Sequence, residues 1–270
     1  MDLESRQQVA VDAARAGAQL ALKYYHAIDS LVIEEKGHQD LVSNGDREVE
    51  QLVRRHLADH FPDDGIIGEE YDNKPSATGF NWVIDPIDGT ASFVRGRPGW
   101  CVVIAGVYNG ETVIAVIHDA VANEVFEAVK GGGARLNARP IAPSPSRGLA
   151  DGAVGVGFSN RFPSHLCTQL LQRLIVEKQG VFYQNGSGAL MLSYVACGRL
   201  IGYAEPHMNP WDCLAALLLI EEAGGRVQPY DAVTMLEHGE RVVAACAGIY
   251  DQLVELTDDT YGDFRLVPHA

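Results

Sequence analysis

An αβ layered fold is what this sequence predicts, on three observations. The chain opens with two amphipathic helix-forming segments, its middle carries apolar runs joined at an Asn-Gly turn, and after Gly148 strand-like and helix-like segments alternate to the end.

Residues 5 to 25 hold little Gly or Pro and space their apolar side chains for one helix face. Residues 46 to 60 predict a second helix, with Ser43, Asn44 and Asp46 as capping groups and Pro62 as its stop. Between them, Glu34-Glu35-Lys36-Gly37-His38 reads as a charged loop. Ile66-Ile67 is a short strand ending at Gly68-Glu69-Glu70, and residues 81 to 85 form another. Val102 to Val107 and Thr112 to Ile117 flank Tyr108-Asn109-Gly110-Glu111, where Asn-Gly supplies the positive φ that a tight hairpin needs. A strand at Glu124 to Val129 runs into Gly131-Gly132-Gly133. The Pro- and Ser-containing stretch from Pro140 to Gly148 then divides a single domain into subdomains of about 1–145 and 146–270. Beyond it, strands near 153–157, 181–183, 200–205, 226–229 and 242–246 alternate with helices near 164–177, 188–197, 211–223 and 250–256.

Composition narrows the function. A chain of 270 residues, 47% hydrophobic and 21% charged, has the material for a sizeable core. Its longest apolar stretch, Leu214 to Ile220, is too short to span a bilayer and meets Glu221-Glu222. The start, Met1-Asp2-Leu3-Glu4-Ser5-Arg6, is acidic and polar where a signal peptide would be basic and then apolar, so a cytoplasmic location is expected. The five cysteines are scattered without a CxxC pair, which argues against a disulfide framework or a zinc site. A net charge of −15 repels nucleic acid and anionic membranes, so direct binding to either is not expected. Bound divalent cations would reconcile that charge with a phosphorylated ligand, because they reverse the sign locally where acids converge.

Such a convergence is written into the chain. Asp85-Pro86-Ile87-Asp88-Gly89-Thr90 follows the apolar Trp82-Val83-Ile84, placing two hard-oxygen ligands suited to Mg²⁺ and a glycine-opened turn at the mouth of a strand. A helix starting at Gly89 and Thr90 would aim its first amides at an anion. At roughly 5% usage each, the five identities other than Ile coincide about once in a few million windows, so an ordinary Asp-rich turn is a poor account of them. Glu69-Glu70 and Trp211-Asp212 put further acids where a strand ends and an apolar helix begins. Together these carboxylates suffice for two or three Mg²⁺ ions, a means of hydrolysing a phosphate ester without a covalent nucleophile.

Gly68-Glu69-Glu70, Trp82 to Thr90 and Pro210-Trp211-Asp212 resemble, in order, the three motifs of the inositol monophosphatase family, and the similarity runs from Lys36 to Gly225. The resemblance implies a lithium-sensitive, Mg²⁺-dependent phosphomonoesterase with the α+β, layered α-β-α-β-α sandwich shared with fructose-1,6-bisphosphatases, commonly a homodimer. Carried over, Glu69, Asp85 and the Ile87 carbonyl would hold one metal, and Asp85, Asp88 and Asp212 a second. Gly89 and Thr90 amides would receive the phosphate. The Thr90 hydroxyl, oriented by Asp46, would position the attacking water with Glu69, although Asp46 alone reads equally well as a helix cap. Gly186, Ser187 and Gly188 match the segment that meets the leaving alcohol, and Glu205, seven residues before Asp212, matches a carboxylate accepting substrate hydroxyls; Asp88 and Asp212 would border the same substrate. Lys36 matches a basic residue of a loop near the site.

Ala91-Ser92 replaces the family's frequent Thr-Asn, and Ile201 stands where inositol-specific relatives usually carry Asp. Neither touches an expected metal ligand, so they bear on which alcohol is bound and leave the reaction class alone. An inositol or related polyol phosphate is the expected substrate, with histidinol phosphate the alternative. Some bacterial relatives contribute to transcription complexes through protein contacts, a second class of function open to an acidic protein. Of the nine histidines, none of which forms a compact ligand pattern, His207 alone is placed to line the site.

Overall fold

The computed structural model describes residues 2–37, 40–159 and 161–262. The chain runs α1 (Leu3–Tyr25), β1 (Ile33–Gly37), β2 (Asp40–Ser43), α2 (Asn44–His60), β3 (Gly65–Gly68), β4 (Phe80–Asp88) and a short α3 (Thr90–Phe93). Next come β5 (Cys101–Tyr108), β6 (Glu111–Asp119), β7 (Glu124–Val129), β8 (Ala134–Leu136) and β9 (Arg139–Pro140). The second half runs β10 (Ala153–Val156), α4 (Ser164–Gln172), β11 (Val181–Tyr183), α5 (Gly188–Ala196), β12 (Gly202–Met208), α6 (Pro210–Ala223), β13 (Arg226–Val227), α7 (Ala232–His238), β14 (Glu240–Ala245) and α8 (Tyr250–Tyr261).

These elements stack as α-β-α-β-α. The first sheet has seven strands in the order β3-β4-β5-β6-β7-β8-β9, antiparallel apart from the parallel pair β3 and β4. The second has five, ordered β11-β10-β12-β14-β13. α1 and α2 cover the outer face of the first sheet, α5 and α6 fill the space between the sheets, and α4 and α8 close the far side.

The central strands β5 and β6 read as unbroken apolar runs because both faces of the sheet are buried there. On β4, Trp82 and Ile84 pack beneath α1 and α2 while Val83 faces the middle layer; on β5, Val102 and Ile104 face outward and Val103 and Ala105 inward. α1 lies close to α2 because its inner face is made of small residues, Ala10, Ala13, Ala14, Gly17, Ala18 and Ala21. A Cβ on Gly17 would sit 3.0 Å from Val53 Cγ2. α6 is apolar on every side, with Cys213 to Ile220 all buried, as a helix held between two sheets must be. That explains the apolar stretch at Leu214–Ile220, and no helix among the described residues is long and apolar enough to cross a membrane.

The structure differs from the sequence expectation in several places, among them the short strands β8 and β9, which were not anticipated. The charged segment at 34–37 lies within β1, paired antiparallel with β2; Ile33, Glu34, Glu35 and Gly37 are exposed, so it shows no apolar alternation to read. α7 was not anticipated, being a seven-residue helix capped by Asp231. The helix from 164 stays α-helical to Gln172 and then widens into a π-helical turn over Arg173–Glu177. Lastly, β4 does not stop at Asp85 but continues to Asp88. The Lys36 side chain, His38 and His269 lie outside the described residues.

Candidate active site

The continuation of β4 sets the geometry of the site. Residues three apart on a regular strand point to opposite faces. Here Asp85 pairs with Val103 and Asp88 with Cys101, so three steps along β4 match two along β5, the signature of a bulge. The extra residue returns Asp88 to the face that Asp85 occupies, the middle-layer side on which Val103 and Cys101 pack. Ile87 turns the other way, into the core beneath α1 and α2. Pro86, which has no N–H to donate, falls in the bulge, where a ladder bond is missing anyway. The Ile87 N–H is bonded instead by Asp85 Oδ1, at 2.9 Å.

α6 brings the third acid. Asn209 and Pro210 start the helix, and Asp212 in its first turn accepts from the Asn209 backbone N–H and side-chain amide, each at 3.2 Å. One carboxylate oxygen from each of Asp85, Asp88 and Asp212 lies within 4.8 Å of the others. Burial, and then the neighbouring charges of Glu69, Asp88 and Asp212, hold Asp85 well above the usual carboxylate range. Asp212 is raised in the same way by burial and then by Asp88, Glu69 and Glu205. Asp88 rises only to about 6, since burial is opposed by hydrogen bonds from Ser187 and the Ala189 and Gly188 amides. A buried set of hard oxygen donors that repel one another fits a divalent cation, which would relieve both penalties at once. Glu69, half-buried just past the end of β3, stands beside this trio and contributes to its field.

At the other end of the bulge, Gly89 has φ +96°, and a Cβ there would stand 2.4 Å from the Gly99 carbonyl oxygen, so the turn admits only glycine. The expected helix begins at Thr90 and lasts four residues. The Thr90 hydroxyl lies 3.0 Å from both Asp46 Oδ1 and the Ile87 carbonyl oxygen. Asp46 also caps its own helix, its Oδ2 accepting from the Ser43 N–H at 2.9 Å and the Ser43 hydroxyl at 2.6 Å. One carboxylate thus makes both contacts, the helix cap and the bond to the Thr90 hydroxyl.

The glycine segment and Glu205 approach from the second half of the chain. Gly186 has φ +103°, and the carbonyl of its neighbour Asn185 accepts from Ser92 at 3.1 Å, so the residue that departs from the family pattern tethers this loop. The Ser187 hydroxyl points at Asp88 and donates to its Oδ2, which also accepts from the Ala189 N–H at 2.8 Å. The Ser187 side chain is thus committed to Asp88, which leaves the backbone groups of the segment as the ones open to a ligand. On β12 a second bulge lies between Glu205, opposite Val242, and Met208. Tyr203 and Glu205 therefore face the middle layer opposite β4, and the buried Tyr203 donates its hydroxyl to Glu205 Oε2. Burial pushes Glu205 up to about 7. A Cβ on Gly157 would meet Glu205 Oε2 at 2.1 Å and one on Gly188 would come within 3.8 Å, which places the carboxylate beside the Gly186-Ser187-Gly188 segment.

His207 is not a lining residue: it is 4% exposed, with Nε2 2.9 Å from the His238 carbonyl oxygen, and ties β12 to the end of α7. Sequence reasoning missed Tyr203, for which the spacing of two from Glu205 on one strand face was the available signal.

With this geometry, the comparisons with known proteins agree. Residues 2–261 match the inositol monophosphatase family. Nus factor SuhB of Xylella fastidiosa is 37% identical over 245 residues, 89% of this chain and 88% of the relative, and Nus factor SuhB of Escherichia coli K12 is 35% identical over 224 residues, covering 82% and 84%. The extragenic suppressor protein suhB of Bartonella henselae superposes with a TM-score of 0.88 at 29% identity, covering 94% of this chain and 98% of that one. Inositol monophosphatase from Anabaena gives 0.81 at 29% identity, covering 96% and 98%. The chain belongs to the inositol monophosphatase family.

Proposed function

We propose that this protein is a Mg²⁺-dependent hydrolase of a small phosphate monoester, with inositol 1-phosphate or a related polyol phosphate as substrate. The observation that carries the reading is the convergence of Asp85, Asp88 and Asp212 within 4.8 Å. Glu69, Asp85 and the Ile87 carbonyl would hold one Mg²⁺ and Asp85, Asp88 and Asp212 a second. Bound there, two or three such ions would supply an acidified water, charge for the phosphate oxygens and stabilisation of the departing alkoxide.

The chain's own groups do the positioning. When the Thr90 hydroxyl gives its proton to Asp46, a lone pair is left to accept from the attacking water, and Glu69 takes up that water's other proton. The Gly89 and Thr90 amides receive the phosphate. Backbone groups of Gly186 to Gly188 border the leaving alcohol, and Glu205, oriented by Tyr203, accepts from its hydroxyls. The exposed edge strand β11, with Val181, Phe182 and Tyr183 all open to solvent, supports a homodimer.

Phosphate release from inositol 1-phosphate, histidinol phosphate, adenosine 3′,5′-bisphosphate and fructose 1,6-bisphosphate, with Mg²⁺ and with EDTA, tests the reading. Inositol 1-phosphate should lead, with release abolished by EDTA and inhibited by Li⁺. A preference for histidinol phosphate would reassign Glu205 as the partner of an amine. No release from any of the four would reject the hydrolase. The relatives named Nus factor SuhB support a second reading, a protein-binding role in a transcription complex, which the same catalytic set does not preclude. Co-purification with transcription proteins of the source cell, unaffected by Asp85→Asn, would favour it.

A further inference from the structure

α2 carries more of the site than Asp46. Glu50 follows Asp46 by four residues and Arg54 follows Glu50 by four, so the three share one face of the helix. Glu50 is fully buried, an expensive place for a carboxylate unless every oxygen is used. Both are used. Oε1 accepts from Arg54 Nε at 2.7 Å, and Oε2 accepts from the backbone N–H of Glu70 at 2.8 Å. Arg54 spends its remaining donors on the same segment, Nη2 on the Tyr71 carbonyl at 3.0 Å and Nη1 on the Asp72 carbonyl at 3.1 Å. Gln51 adds a bond to the Tyr71 hydroxyl at 2.6 Å.

The segment so held is the bend that follows β3, which has no helix or ladder of its own at residues 69–71. It also contains Glu69. Gly68, the last residue of β3, leaves the room for this arrangement: a Cβ there would fall 2.1 Å from Glu50 Oε1 and 2.8 Å from Arg54 Nη2.

We propose that Glu50 and Arg54 are positioning residues for metal binding, a partly buried ion pair that hangs the Glu69 bend from α2 and so fixes where the Glu69 carboxylate stands. The proposal rests on the reading of Glu69 as a metal ligand. α2 would then set both partners of the attacking water, Thr90 through Asp46 and Glu69 through Glu50. Its rigidity, rather than the bend's, would determine their separation.

The test is calorimetric Mg²⁺ and Mn²⁺ binding, with thermal melting in EDTA, on Glu50→Gln, Arg54→Lys, Glu69→Gln and the double variant Glu50→Gln/Glu69→Gln. Glu50→Gln places an amide donor against either the Arg54 or the Glu70 donor, and Arg54→Lys keeps a charge near Glu50 while losing the forked grip on two carbonyls. Each should weaken one class of metal site by roughly ten- to a hundredfold while the protein stays folded in EDTA. In the Glu69→Gln background, Glu50→Gln should cost almost nothing further in metal affinity, because it acts only through Glu69. Folded Glu50→Gln and Arg54→Lys proteins with unchanged metal affinity, or a double variant whose losses add, would overturn the proposal. If Glu50→Gln does not fold, Arg54→Lys decides alone. Undiminished metal binding by Glu69→Gln would instead remove the underlying assignment, whatever Glu50 does.

Discussion

Asp46→Asn should separate two tasks that one carboxylate performs. Oδ2 accepts two donors from Ser43 and Oδ1 accepts one from Thr90, at a residue with 0% exposure. An amide offers a single acceptor oxygen. With its NH₂ turned to Ser43 it would face two donors, at a cost of about 1 to 3 kcal/mol for each one stranded. With its oxygen on Ser43 the cap survives and only Thr90 must adjust, by accepting from the amide and turning its own proton to the Ile87 carbonyl 3.0 Å away. The second orientation wins. The amide then takes one of the hydroxyl's two lone pairs and the proton's move to Ile87 re-aims the other, so the attacking water loses its aligned acceptor. Losing one hydrogen bond to a hydroxide-like nucleophile is worth about 1.5 to 3 kcal/mol, or roughly ten- to a hundredfold in kcat, with KM little changed. Stability should hold, since the cap is kept and burial, the cause that raises the Asp46 carboxyl, no longer penalises a charge. Steady-state phosphate release and thermal melting in one buffer read both effects. Thr90→Ala should give a similar loss and combine with Asp46→Asn less than additively. A folded Asp46→Asn protein with parental kcat, or one that loses melting temperature while keeping kcat, would refute the shared-water geometry.

Asp85→Asn should abolish hydrolysis and weaken both metal sites in calorimetry, because the bridging carboxylate loses charge at two ions together; near-normal turnover would sink that assignment. Glu205→Ala should cut kcat/KM for a polyol phosphate by roughly ten- to a hundredfold and leave an aryl phosphate nearly untouched, and equal losses would make Glu205 structural. Since Glu205 titrates at about 7, KM for the polyol ester should fall as pH rises through that value, a trend absent from the variant. In EDTA, the raised carboxyls of Asp85, Asp88 and Asp212 keep protons in the fold that the unfolded chain releases near its ordinary pKa of about 4. The melting temperature without metal should therefore be highest at acidic pH and decline as pH rises through about 6 for Asp88 and beyond for the other two, with saturating Mg²⁺ removing the decline; a pH-independent difference between the two conditions would contradict this.

What was legible in the sequence followed from strong local constraints. Asn109-Gly110 fixed a hairpin, Pro62 stopped α2, and the uninterrupted apolar runs of β5 and β6 reflect burial on both faces. The acids of the site were visible because their motifs are rare. Their convergence was expected from the motifs, but the bulge that produces it was not, since it changes facing by one residue and leaves no compositional mark beyond a proline; the strand read as ending at Asp85 continues to Asp88. The bond from the Ser187 hydroxyl to Asp88 was not legible because the two residues are 99 apart in sequence. Glu50 and Arg54 were hidden for the opposite reason: on a helix with an exposed charged face, an acid and a base at i and i+4 ordinarily signal solvated surface.

The matched bulges on β4 and β12 have a consequence for how such a protein changes over time. Each is an acid followed by proline, Asp85-Pro86 on one sheet and Glu205-Pro206 on the other, and they confront each other across the α5 and α6 layer. Two of the three clustered acids and Thr90 belong to the first half of the chain, whereas Glu205, Tyr203 and Gly157 belong to the second. On the proposed function, substitutions around β12 would exchange one phosphorylated alcohol for another, while most of the groups assigned to cleaving the ester sit on the other sheet. Asp212, rooted in the helix between them, is the one acid of the trio obliged to answer to both.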